Sequence, residues 1–157
     1  MFSMDISFRP ATSDDCEVIL HHRRCMFRDM GEGPEDQLDR MVDATRPWLN
    51  RALADGSYRG WLATTTGGQV VAGGGILISS WPARPEDPNT RRALILNVFT
   101  EPQYRRHGLA RQLMLLMIQW LKDEGFTSVV LHASTEGRRL YESLGFAPTN
   151  EMRLRLT

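Results

Sequence analysis

The chain has 157 residues, a length that suits one domain built around a single core. Hydrophobic residues make up 41% and charged residues 24%, which excludes the disordered and collagen-like classes. Basic and acidic side chains number 19 each, so the basic excess of a dedicated nucleic-acid binder is absent.

From the N-terminus, Met4–Arg9 alternates apolar and polar residues and predicts a short strand. Ala11-Thr12-Ser13-Asp14-Asp15 supplies N-cap chemistry for a helix that continues through Val18, Ile19 and Leu20 and ends near Gly31. Pro34 opens a second helix, with Glu35 and Asp36 at its positive end, running to about Asp55–Gly56. Pro47 predicts a kink in this stretch, or two shorter helices.

A hairpin follows, with strands Tyr58–Thr65 and Gln69–Ser79 joined at Gly67-Gly68. Gly73-Gly74-Gly75 within the second strand marks a bulge or a close backbone approach. Ser80 to Arg91, with three prolines, reads as a surface loop. Ala93–Thr100 is an apolar strand. Residues 106–124 form an amphipathic helix with Leu109, Leu113, Leu116, Met117 and Trp120 on one side. Thr127–His132 predicts a strand, Glu136–Leu144 a short helix ended by Gly145, and Glu151–Leu156 a last alternating strand. The order β-α-α-β-β-β-α-β-α-β predicts an α/β domain over residues 1–157. It would have a mixed, mostly antiparallel sheet and helices on both faces.

No apolar run approaches the ~20 residues that span a bilayer. Met1 to Pro10 lacks the basic and long apolar regions of a secretory signal. A cytoplasmic protein with no membrane partner is therefore expected. Cys16 and Cys25 would sit ~13 Å apart on one helix, too far for a disulfide. His21 and Cys25 lie one turn apart, but two ligands without a third do not make a zinc site, and no metal is expected.

The chemistry concentrates after the apolar strand 93–100. Glu101-Pro102-Gln103-Tyr104 makes a proline turn, and a helix begins at Arg105-Arg106-His107-Gly108-Leu109-Ala110. A helix start presents N–H groups with no intrahelical partner, at a partly positive end. Gly108 lets an anion approach the backbone, and Arg105, Arg106 and Arg111 add charge. A basic helix start containing one glycine reads this way without any ligand. No Gly-Lys-Ser/Thr follows the glycine, and Gly-x-Gly-x-x-Gly is absent.

Arg105, Gly108 and Ala110 resemble the Arg/Gln-x-x-Gly-x-Gly/Ala signature of the GNAT superfamily of acyl-CoA N-acyltransferases. About thirty residues on, Ser134-x-x-Gly137-x-x-Leu140-Tyr141-x-x-x-Gly145-Phe146 is similar to that superfamily's second motif. Ser134 stands where the family often has Asn, and Gly137 where it often has Ala. The resemblance is close over residues 93 to 157 and topological over residues 4 to 80. It implies acetyl-CoA as co-substrate. Val98, Phe99 and Thr100 would hold the pantetheine arm. Arg105, Arg106, His107, Gly108, Leu109, Ala110 and Arg111 would cradle the pyrophosphate, and Ser134 would lie near the pantetheine.

The implied reaction is attack by a neutral primary amine of a small molecule or peptide within a ternary complex. The resemblance places Tyr141 beside the thioester sulfur. A phenol of pKa ~10 stays protonated where a thiol of ~8.5 begins to ionise, so Tyr141 can donate to the leaving thiolate. A backbone N–H near Val98 or Phe99 would receive the oxyanion. Glu101 is the catalytic candidate for the base, with Asn97 and His132 as further candidates. Each has a structural reading beside it, as a solvated turn residue or a hydrogen-bonded strand residue. The acceptor cleft would be built by residues 24–56 and 79–91, and Trp81 could line it. The family also suggests a homodimer, for which the sequence specifies no interface. A non-catalytic acyl-CoA-binding module on the same fold is the alternative.

Overall fold

The computed structural model describes residues 4–157. Residues 1–3, part of the stretch read above for a secretory signal, lie outside the described residues. Strand β1 (Ile6–Pro10) leads into a 3-10 turn capped by a reciprocal Thr12–Asp15 box, then into helix α1 (Cys16–Asp29). Arg9 donates to both carboxylate oxygens of Asp15 at 2.8 Å, holding this carboxyl below its ordinary pKa. The second helix, α2 (Glu35–Asp55), ends at Gly56 in the left-handed conformation. Pro47 lies inside α2, so the two-helix alternative is not adopted. The missing N–H leaves one carbonyl without its intrahelical donor, and burial of Leu38, Leu49 and Ala52 on the same helix offsets that loss.

Strands β2 (Tyr58–Thr65), β3 (Val70–Ser80), β4 (Arg91–Thr100) and β5 (Val130–Leu131) complete one sheet in the order β1-β2-β3-β4-β5. The first three pairings are antiparallel and the last is parallel. Helix α3 (Leu109–Asp123) forms the crossover between β4 and β5, and α4 (Arg138–Ser143) follows β5. The sheet separates two cores. On one face Ile19, Leu20, Leu49, Ala52 and Tyr58 bury against Leu96. On the other, Met114, Met117 and Leu121 of α3 bury against Ile76, Ala93 and Ile95. The alternation of β4 feeds both.

The triple glycine marks a close approach. A Cβ on Gly75 would lie 2.1 Å from the Tyr58 hydroxyl, so the glycine makes room for that ring. The bulge is also here, but its extra residue belongs to β4. Gly75 pairs with Leu96 and Gly73 with Phe99, so one residue of β3 faces two of β4. Asn97 absorbs it at φ 58°, a left-handed conformation that asparagine tolerates better than most non-glycine residues.

Four expectations are corrected. Helix α3 begins at Leu109 rather than at residue 106, because Arg106 and Gly108 take positive φ. Its buried stripe contains Met114 and Leu121, while Leu116 is exposed. The strand expected over Thr127–His132 shrinks to Val130–Leu131, and Glu151–Leu156 pairs with no strand among the described residues. After Phe126 no residue is fully buried. No helix of the described residues is long and apolar enough to cross a membrane.

Candidate active site

Pairing between β4 and β5 stops at Ile95–Leu131, yet β4 runs on to Thr100. From Leu96 onward β4 has β3 on one edge and no strand on the other. Its unpaired edge offers backbone donors and acceptors to an extended ligand. Val98 and Phe99 lie just beyond the Asn97 bulge, where the ladder is displaced. Val98 faces the α3 side of the sheet, and Phe99 packs on His22 of α1 with ring centroids 5.3 Å apart.

The strand then enters the basic loop. Glu101 N–H is held by the Val71 carbonyl at 2.8 Å, and Pro102–Tyr104 forms a 3-10 turn. Arg106 and Gly108 both turn left-handed, at φ 63° and 76°. The first intrahelical bond of α3 runs from Gln112 N–H to the Gly108 carbonyl, so the N–H groups of Gly108 to Arg111 have no intrahelical acceptor. A Cβ on Gly108 would meet nothing within 4 Å. The backbone at Gly108 is thus uncrowded and adjoins a run of unmatched donors, and an anion fits that arrangement.

The arginines divide the work. Arg105 donates from Nε to the Thr100 carbonyl at 2.9 Å and from a terminal nitrogen to Asp29 at 2.8 Å, and it lies over Phe99. Its side chain latches the loop to α1 and the end of β4. Arg111 reaches Ser143 of α4 at 3.1 Å. Arg106 and His107 are exposed.

Tyr141 sits on α4, half-buried, and packs against the cluster that Val98 borders from the sheet side. Its hydroxyl makes no hydrogen bond among the described residues, and burial raises its pKa above the ordinary value. A Cβ on Gly137 would come 2.8 Å from the Tyr141 ring, so the glycine leaves room for this ring where an alanine would crowd it. Ser134 lies in the turn before α4, and its hydroxyl oxygen accepts from the N–H of Gly137, the residue that precedes the helix, at 3.0 Å.

The three base candidates separate. Glu101 meets His21 of α1, with His21 Nε2 2.7 Å from a carboxylate oxygen. Asn97 is buried as the bulge residue; its amide accepts from Arg23 at 2.8 Å and donates to the Tyr58 hydroxyl at 3.2 Å. Burial pushes the Tyr58 phenol up to about 12. His132 is exposed and lies 3.3 Å from Glu151. His22 is a titratable group whose burial the sequence does not show. It is 1% exposed, and burial, aided by the neighbouring His21, pushes its pKa down to about 4. No group of three metal-ligating side chains occurs among the described residues.

The expected acceptor cleft also divides. Arg23 and Asp29 bring residues 24–34 toward the C-terminal half of β4, through Asn97 and Arg105. Trp81 lies at the other end, beneath the Arg92 guanidinium, in a groove shared with Leu94 and His132.

Residues 18–146 match the model of the Acetyltransferase (GNAT) family. A GCN5-related N-acetyltransferase structure from Ralstonia eutropha JMP134 superimposes with a TM-score of 0.90 at 37% identity, over 96% of this chain and 98% of that one. A predicted acetyltransferase from Clostridium acetobutylicum, solved with acetyl-CoA, superimposes at 0.85 with 26% identity, over 97% and 96%. Among curated proteins, N-acetyltransferase 8F1 of Rattus norvegicus is 30% identical over 71% of this chain and 47% of its own length. N-acetyltransferase family 8 member 2 of the same organism is 32% identical over 69% and 45%. The chain thus spans about half the length of the curated relatives it matches.

Proposed function

The chain belongs to the GNAT acetyltransferase family, and from that premise we propose that it moves an acetyl group from acetyl-CoA to a primary amine of a small molecule or peptide. One observation carries the proposal. The unpaired end of β4, with its Asn97 bulge, runs directly into a left-handed loop whose glycine is uncrowded and whose N–H groups at residues 108–111 have no intrahelical acceptor. An extended arm and a diphosphate at its end match that sequence of surfaces. The acetyl-CoA in the related Clostridium structure supports the same donor.

When bound, acetyl-CoA supplies an activated thioester. The chain supplies the rest. Val98, Phe99 and Thr100 present backbone groups along the arm. Residues 105–111 meet the diphosphate, with the Arg105 side chain also fixing the loop to Thr100 and Asp29. A backbone N–H of Val98 or Phe99, displaced by the bulge, receives the negative charge that develops on the carbonyl oxygen. Tyr141 keeps its proton at neutral pH because burial raises its pKa, and gives it to the departing sulfur. Ser134 holds the start of α4, and so the height of Tyr141. Glu101 is the base candidate on the loop, with one oxygen taken by His21.

Steady-state release of free thiol from acetyl-CoA, across a panel of amines, amino acids and peptides, tests the proposal. Turnover that depends on one class of acceptor is expected; tight binding without turnover for any acceptor contradicts it. That second outcome is what a non-catalytic acyl-CoA-binding module would give, a reading favoured by the engagement of Glu101 with His21.

A further inference from the structure

Helix α1 brings the half-buried Arg23 onto the bulge of β4. Its Nη1 donates to the Asn97 amide oxygen at 2.8 Å, and its guanidinium lies over the Phe27 ring, 4.9 Å from the centroid. The other two nitrogens are unmatched. Nε is buried with no hydrogen-bond partner, and Nη2 makes no hydrogen bond among the described residues. Carboxylates around this helix are engaged elsewhere: Glu101 with His21, Asp29 with Arg105, Glu35 and Asp39 with Arg24. Burial lowers the Arg23 pKa, and no carboxylate opposes that effect. Holding Asn97 needs one donor and no charge. A guanidinium partly withdrawn from water without an anion is costly. Nε and Nη2 also form one edge of the guanidinium, the kind of edge that binds a carboxylate through two parallel hydrogen bonds.

Position says which carboxylate. Asn97 directly precedes Val98, and its side chain turns to the α1 face, toward Arg23 and Tyr58. Tyr141 packs on the opposite, α3 face. With the sulfur served from the α3 face, the α1 face is left to the incoming amine. Resting on acetyl transfer at this site, we infer that the acceptor is a free amino acid and that Arg23 selects it. Its carboxylate, on the carbon that bears the attacking amine, seats against the unmatched edge of Arg23. Its amine then stands beside Val98 and Phe99. A group one residue away from the reacting carbonyl suits a carboxylate that adjoins the amine, rather than one at the far end of a long molecule.

Binding tests this without turnover. Thermal shifts of the full chain saturated with coenzyme A, across the common amino acids and their α-carboxamides, identify the best acid. Titration calorimetry then compares that acid with its amide. The amide is expected to bind at least ~10-fold more weakly. Arg23→Gln, which keeps a donor for Asn97, should bring acid and amide to similar affinity, and Arg23→Lys should retain a smaller preference. Far-UV circular dichroism checks that the variants fold, and the wild-type comparison stands if one does not. No acid bound above its amide overturns the inference. So does a folded Arg23→Gln that weakens both ligands alike, because support of Asn97 alone would do that. No thermal shift with coenzyme A itself would overturn the acetyl-transfer reading and this inference together. A coenzyme A shift without a carboxylate preference overturns this inference alone.

Discussion

The stretch from Cys16 to Phe126 and the stretch after it fold by different rules. In the first, apolar periodicity and burial coincide. Leu20, Leu62, Ile76, Leu113, Met114 and Met117 are at most 1% exposed, and the sheet is filled from both faces. In the second, the sequence pattern is as clear, yet no residue after Phe126 is fully buried. The second stretch nevertheless carries Tyr141 and the family's second motif. Its residues border the core of the first stretch without building one of their own.

The largest expected effect tests this contrast directly. Leu113→Ala should lower unfolding free energy by about 3–4 kcal/mol, through lost transfer energy and an uncollapsed cavity. Leu144→Ala, half-exposed, should cost about 1 kcal/mol. Denaturant unfolding at low protein concentration measures both, and equal losses would remove the distinction. Next comes pH. His22 is buried neutral, with a folded pKa of about 4 against 6.5 unfolded. The unfolded chain therefore takes up a proton first as pH falls, and stability declines from about pH 6.5 down to about 4. The loss from this group reaches about 3 kcal/mol. His22→Gln should flatten that slope in urea titrations run across the same window.

The second stretch should respond in rate rather than stability. Tyr141→Phe is expected to lower kcat about 10- to 100-fold, with little change in KM for acetyl-CoA or in unfolding midpoint. Equal kcat values for the two proteins would remove the acid role. Smallest is Gly137→Ala. Its Cβ would sit 2.8 Å from the Tyr141 ring, so kcat should fall a few-fold as the ring moves outward. A rise, following the gain in helix propensity, would show that the contact does not position the tyrosine.

Most of the fold was readable because its signals are local. Pro34 and Gly56 mark the ends of α2, and Gly67-Gly68 marks the hairpin, by the backbone angles these residues favour. Leu116 was misplaced because two adjacent ridges of α3 are apolar, and only the sheet decides which one is buried. Pro47 reads as a break, but tertiary burial overrides it. The last strand was read from its alternation, but Glu151–Leu156 pairs with no strand among the described residues. In the site, the loop and Tyr141 were legible from motif spacing. The His21–Glu101 pair joins residues 80 positions apart, and the bulge depends on pairing with β3, so neither leaves a local trace. Asn97 was a base candidate in the sequence, but its one local hint, an asparagine within an apolar strand, points to backbone geometry.

The central claim is that the end of β4 and the 105–111 loop form the site of the acyl donor. Isothermal titration of acetyl-CoA into the wild type and into Gly108→Val tests it most directly. The valine would put a branched side chain beside the unmatched N–H groups, where glycine leaves the backbone uncrowded, at a backbone conformation that β-branched residues resist. Micromolar binding by the wild type and at least ~10-fold weaker binding by the variant, with both proteins folded, are predicted. No binding by the wild type, or equal affinity in the two proteins, would contradict the account.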